Sequence, residues 1–247
     1  MDLEGKWRLE EYLEGVATRV REGSEVPIRH NVIKGLVPQS LEDHVRESAP
    51  QLVVMSTHGR GPLSRAWLGS VTDHLMRHVS PPVLCVRPQD GVTPDLSRQV
   101  RFDRIVSAVD GSEQSERCLA WCAKLAKATS AELTVVRVIP PAPLIQSIYL
   151  PDAVFEMKQF IEDERKAAER YLSEVVVRLT DDGMTATGRV PVGYQPAMGI
   201  LKAAEDDSAD LIAVGTHGRS GLARVALGSV ADKVVRGASL PVLVTRC

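Results

Sequence analysis

A chain of 247 residues, 44% apolar and 25% charged, suits one large globular domain or two ordinary ones. Its 30 Lys and Arg against 32 Asp and Glu leave a net charge of −2 with no basic block, which argues against a nucleic-acid partner held by bulk electrostatics. No apolar run approaches membrane-spanning length, so no membrane partner is expected.

The start, "MDLEGKWRLEEYLEGV", is charged and amphipathic and does not read as a secretory signal. With none of the four cysteines in a CxxC pair, this points to a cytoplasmic protein without structural disulfides. Leu52–Arg87 then reads as an apolar strand, THGR, a short variable stretch, LGS, a helix and PVL. Residues 89–102 are polar and carry Pro and Gly, as a linker does, dividing the chain into 1–88 and 103–247. "RIVSAVDGS" (Arg104–Ser112) is an apolar strand running into a helix start, with Ser112 as N-cap candidate and Ser115 as the alternative. In the helix that follows, Cys118, Leu119, Cys122, Leu125 and Ala126 share a face. "AELTVVRVI" is a second strand, Pro140–Pro151 a loop, and about Ala153–Thr180 a long helix. Then come a strand ("TATGRVPV"), a helix ("PAMGILKAAEDD"), a strand ("ADLIAVG"), a helix ("GSVADKVVRGA") and a last strand ("LPVLVT").

The chain repeats itself. Leu52–Arg87 lies on Leu211–Arg246 without a gap, with about half the positions identical. Upstream the match is looser: "GLVP" (Gly35–Pro38) falls on "GYQP" (Gly193–Pro196), and "EYL" (Glu11–Leu13) on "RYL" (Arg170–Leu172). Alternating strands and helices specify an α/β fold, a doubly wound parallel sheet. The second half carries all five strands. The first begins inside the counterpart of the long helix and lacks the first two strands.

In "VGTHGRSGLARVALGS", Gly215, Gly218, Gly228 and Ser229 mark a loop between a strand and a helix. α/β folds hold phosphates there, because a helix N-terminus offers unpaired N–H groups and partial positive charge. Glycines let backbone approach an anion closely. Asp110 ends the first strand of the same unit. Alone it reads more often as a turn residue in "DGS", but paired with the glycine loop it is read as a ligand for a ribose hydroxyl or an adenine edge, if strand order reverses between strands one and four.

The set "AVDGS", "GYQPAMGIL", "ADLIAVGTHGRSGLARVALGSVADKVV" and "LPVLV" resembles the universal stress protein family, among the Rossmann-like adenine-nucleotide α-hydrolase-like folds. The resemblance spans nearly the whole chain as a tandem. It implies that the second copy belongs to the ATP-binding branch. Gly215, Gly218, Gly228 and Ser229 would hold phosphates, with Arg219 as a further contact. Asp110 would meet the adenosine, and backbone near Val138 the adenine. It further implies ATP with Mg²⁺ or Mn²⁺ and a sensor or regulator of stress response. In the family, last strands pair antiparallel across a two-fold. Here Val83–Val86 and Val242–Thr245 would join the two halves, and the incomplete half leaves room for a homodimer.

The first copy departs. Ser56 replaces the first glycine, Pro62 stands at the place of Gly221, and the Asp-bearing strand is missing. It should bind nucleotide weakly or not at all. His58 and His217 have no acidic partner or nucleophile beside them, so no catalytic residue is assigned and hydrolysis is expected to be slow or absent. Two alternatives stay open: a slow ATP hydrolase or nucleotidyl-transfer enzyme of the same fold, and an interaction module that binds no nucleotide. His74 and His78 lie four apart on a helix, a spacing that can grip a metal, but no third ligand shows in the sequence and no metal site is assigned.

Overall fold

β-Branched and apolar runs too short for helices set the frame. The computed structural model describes residues 3–23, 25–57, 68–87, 100–139, 151–193, 195–216 and 227–246. In chain order the elements are α1 (Leu3–Glu22), α2 (Val37–Ser48), β1 (Val53–Ser56), α3 (Ser70–His78), β2 (Val83–Val86), β3 (Arg104–Ala108), α4 (Glu113–Thr129), β4 (Glu132–Val136), α5 (Pro151–Asp181), β5 (Ala186–Arg189), α6 (Pro196–Asp206), β6 (Leu211–Gly215), α7 (Ser229–Gly237) and β7 (Val242–Thr245). The Pro-rich loop and most of the expected linker lie outside the described residues.

One seven-stranded sheet runs through the molecule in the order β1-β2-β7-β6-β3-β4-β5. Every pairing is parallel except β2 with β7, which is antiparallel. The five strands of the second half form a complete doubly wound unit, its order reversing between β3 and β6. Side-chain alternation divides the core in two. Val106, Val136, Ile212, Val214, Val242 and Val244 face α6 and α7. Ile105, Leu133, Val135, Leu211, Ala213 and Leu243 face α4 and α5. Both faces of β6 are covered, which is why its sequence is apolar without a break.

The helices begin and end where local chemistry dictates. Ser112 caps α4, its hydroxyl accepting from the Ser115 backbone N–H at 3.2 Å. Ser130 closes that helix in the left-handed region, φ 57°. Cys118, Leu119, Cys122 and Ala126 turn inward, as the spacing predicts. Cys118 is disulfide-bonded, which corrects the expectation that no cysteine is cross-linked. It sits where α4 passes the end of β7, its Sγ 3.7 Å from the Thr245 carbonyl oxygen.

Among the described residues, the first copy contributes β1 and β2 to the sheet. Residues 25–34, which hold the place of β5, form no strand, which corrects the expectation that the first copy keeps its third strand. A strand there has no neighbour to satisfy its backbone groups. β1 is therefore an edge, and Val54 on its uncovered face is 60% exposed.

The last strands are edges of their own units, but they lie inside the combined sheet. Leu84 sits opposite Leu243, its counterpart in the repeat, flanked by Val83 opposite Val244 and Cys85 opposite Val242. Two equivalent residues facing each other antiparallel define a local two-fold axis. The flanking arginines obey it. Arg87 donates to the Arg236 carbonyl at 2.9 Å, at the end of α7, and Arg246 donates to the Arg77 carbonyl at 2.8 Å, at the end of α3. A cation at a helix C-terminus meets the negative end of its dipole. Among the described residues, no helix is long and apolar enough to cross a membrane.

Candidate functional site

Reversal of strand order between β3 and β6 leaves a crevice beyond their carboxyl ends, because the helices leaving the two strands go to opposite faces. The chain after β3 and the chain after β6 form its lips. A cleft of about 310 Å³ lies there, lined by Asp110, Val138, Gly215, Gly228 and Ser229 together with Ser115, Ile200 and Thr216. The structure thus brings together five of the seven residues singled out in the sequence. The other two, Gly218 and Arg219, fall outside the described residues.

Each wall has a local cause. Asp110 follows β3 and turns the chain into α4. Its Oδ1 accepts from the Ser112 backbone N–H at 2.9 Å and the Ser112 hydroxyl at 2.6 Å. The turn reading of Asp110 therefore holds, and the same residue lines the cleft. Ser115, buried beneath it, donates its hydroxyl to the Ser112 carbonyl at 2.8 Å and accepts from the Asp110 N–H at 3.4 Å.

On the opposite lip, Gly228 is the N-cap of α7 and offers no capping side chain. The first N–H groups of the helix have no intrahelical acceptor and point at the cleft with the positive end of the dipole. The Gly228 N–H donates to the Thr216 carbonyl at 2.6 Å, which pins the start of α7 to the end of β6. The floor is apolar: Val136, Val138, Ile200 and Val214. Val138 is held there by Gly199 of α6, where an added Cβ would lie 2.9 Å from Val138 Cγ2.

The chemistry offered is one carboxylate, three hydroxyls and a helix N-terminus around an apolar floor. Among the described residues, no His, Cys or Lys lines it. Thr216, Ser115, Pro196 and Ile200 were not read as site residues in the sequence. Thr216 stands in the repeated THGR and was legible as a loop residue. Ile200 reads only as a core position, since helical spacing does not say that its neighbour is a cavity.

The first copy repeats half of this. The Gly69 N–H donates to the Thr57 carbonyl at 2.8 Å, and Gly69 is the N-cap of α3. An added Cβ at Gly69 would lie 3.0 Å from that same oxygen, so glycine is kept for close approach. Among the described residues, no strand stands on the side of β1 away from β2 to supply the facing lip.

The chain matches the universal stress protein family over residues 1–87 and 101–246. Universal stress protein Rv2005c of Mycobacterium tuberculosis is 34% identical over 196 residues, 79% of this chain and 62% of that protein. The chain thus spans less than two thirds of this relative's length. Universal stress protein YxiE of Bacillus subtilis is 32% identical over 149 residues, 59% of this chain and 99% of that protein. The crystal structure of a universal stress protein from Archaeoglobus fulgidus shares the fold at 22% identity, with a TM-score of 0.64 over 100% of this chain and 80% of that one. With its two matched segments spanning both copies of the repeat, the chain belongs to the universal stress protein family.

Proposed function

We propose that this chain is an ATP-binding sensor or regulator of stress response in the cytoplasm, holding one nucleotide in its second repeat. The observation that carries this is the convergence of Asp110 and Ser229, from opposite ends of the repeat, on one cleft. The donor set suits the ligand. The uncapped start of α7 and the Ser229 hydroxyl match phosphate oxygens. Asp110 matches ribose hydroxyls, and the Val136–Val138 floor matches an adenine face. Mg²⁺ or Mn²⁺ arriving with the triphosphate would neutralise part of its charge. Hydrolysis is slow or absent, since the Asp110 oxygen that ties the turn is already engaged and no histidine stands in the described lining.

The test is thermal unfolding of the full chain with and without ATP and Mg²⁺. A ligand at a hundred times its Kd adds about 2.7 kcal/mol, which raises Tm by several degrees. An unchanged Tm at millimolar ATP, with no adenine nucleotide released when the purified protein is denatured, would refute the reading in favour of an interaction module.

A further inference from the structure

Glu42 of α2 approaches the two histidines of α3. His74 Nε2 and Glu42 Oε2 are 2.8 Å apart. His78 Nδ1 donates to the His74 carbonyl at 2.7 Å, which fixes its tautomer and leaves Nε2 with a free lone pair. The rings stack, centroids 4.1 Å apart and planes 19° from parallel. One ligand atom from each of Glu42, His74 and His78 lies within 4.8 Å of the other two. Glu42 Oε1 is held by Arg46 Nη2 at 2.7 Å, so the carboxylate is oriented from behind.

We propose that Glu42, His74 and His78 form a site for a zinc-class divalent ion, a function separate from nucleotide binding. The third ligand that the sequence did not reveal comes from the neighbouring helix. A tetrahedral ion at about 2.0–2.1 Å from its ligands needs them roughly 3.4 Å apart, a small closure from the present spacing. The ion takes the place of the proton between His74 and Glu42, which is released. Two imidazoles and one carboxylate leave a fourth position for water. Glu42 and His78 both line a cavity of about 430 Å³ that has room for it, bounded across the way by Trp121 of α4.

The repeat supplies an internal control. Lys233 and Gly237 stand in the second copy where His74 and His78 stand in the first. There the space is closed by an apolar contact: a Cβ added at Gly237 would lie 2.8 Å from Leu201 Cδ1. The helix pair therefore packs without histidines, and the packing alone does not call for two of them beside a glutamate. An ion at this place would clasp α2 to α3 in the half that contributes two of the seven described strands.

The experiment uses the untagged full chain, stripped of metal and free of nucleotide. Zn²⁺ is titrated against a chromophoric chelator, and Co²⁺ absorption reports geometry. One Zn²⁺ per chain is expected, with the intense visible bands of tetrahedral Co²⁺. Replacing His78→Ala should weaken binding at least tenfold, and His74→Lys with His78→Gly, the second copy's own residues, should abolish it. Metal should alter the fluorescence of wild type more than that of Trp121→Phe. Failure of wild type to bind Zn²⁺, or undiminished affinity in the folded double variant, would overturn the site. Neither result bears on ATP, which is read separately by the thermal shift.

Discussion

Single residues decide whether the cleft exists. Asp110 was legible from sequence because an acidic residue after an apolar run, before Gly-Ser, must either close a turn or meet a ligand. Its contacts with Ser112 show it closing the turn at the rim of the cleft. Gly199 was not legible, since a glycine inside a helical pattern says nothing about what crosses it. Its partner is Val138, whose branched side chain has little rotamer freedom. We predict that Gly199→Ala destabilises the protein by about 1 kcal/mol. The overpacking cost of about 1–3 kcal/mol exceeds the helix-propensity gain of up to about 1 kcal/mol. Urea unfolding measures this, and a stabilised variant would show that α6 does not press on the cleft floor.

At the scale of elements, periodicity identified nearly every strand and helix of the second half. What it missed was conditional on partners. Residues 25–34 show that a segment in a strand's place forms none where its neighbours are absent. α4 illustrates the opposite case, where the apolar face named from spacing is the buried one. Burial pushes the thiols of Cys85 and Cys122 up to about 12. A folded pKa above the unfolded value, about 8.5 for a free thiol, adds stability that is fully present below about pH 8.5. It is lost as pH rises toward and through the folded value, because the unfolded chain ionises first. Replacing both cysteines with alanine should therefore flatten the fall in stability between about pH 8.5 and 11 relative to wild type. Denaturant melts across that range check it. Rapid reaction of either thiol with a thiol reagent in the folded protein would contradict the burial argument.

On the scale of the whole molecule, the sequence repeat becomes a local two-fold. The match between Leu52–Arg87 and Leu211–Arg246 was visible in the letters, and so were the apolar last strands. Reciprocity of the arginines was not, because each acts on the helix end of the other copy. Arg87→Met keeps the apolar stem and removes the donor from the last carbonyls of α7. A loss of about 1.5–3 kcal/mol is expected, the usual worth of hydrogen bonds from a charged group. An unchanged urea midpoint would mean that the β2–β7 pairing alone holds the halves together.

Asymmetry between the copies is the central claim: one nucleotide site, in the repeat that keeps both lips. Calorimetric titration of ATP with Mg²⁺ into wild type and Ser229→Asp tests it most directly. Aspartate in the first turn of α7 favours the helix dipole, so the variant should fold at least as well, while its charge repels phosphate. The account predicts one ATP per chain in wild type and at least tenfold weaker binding in the variant. Two sites per chain, or equal affinity in the folded variant, would contradict it.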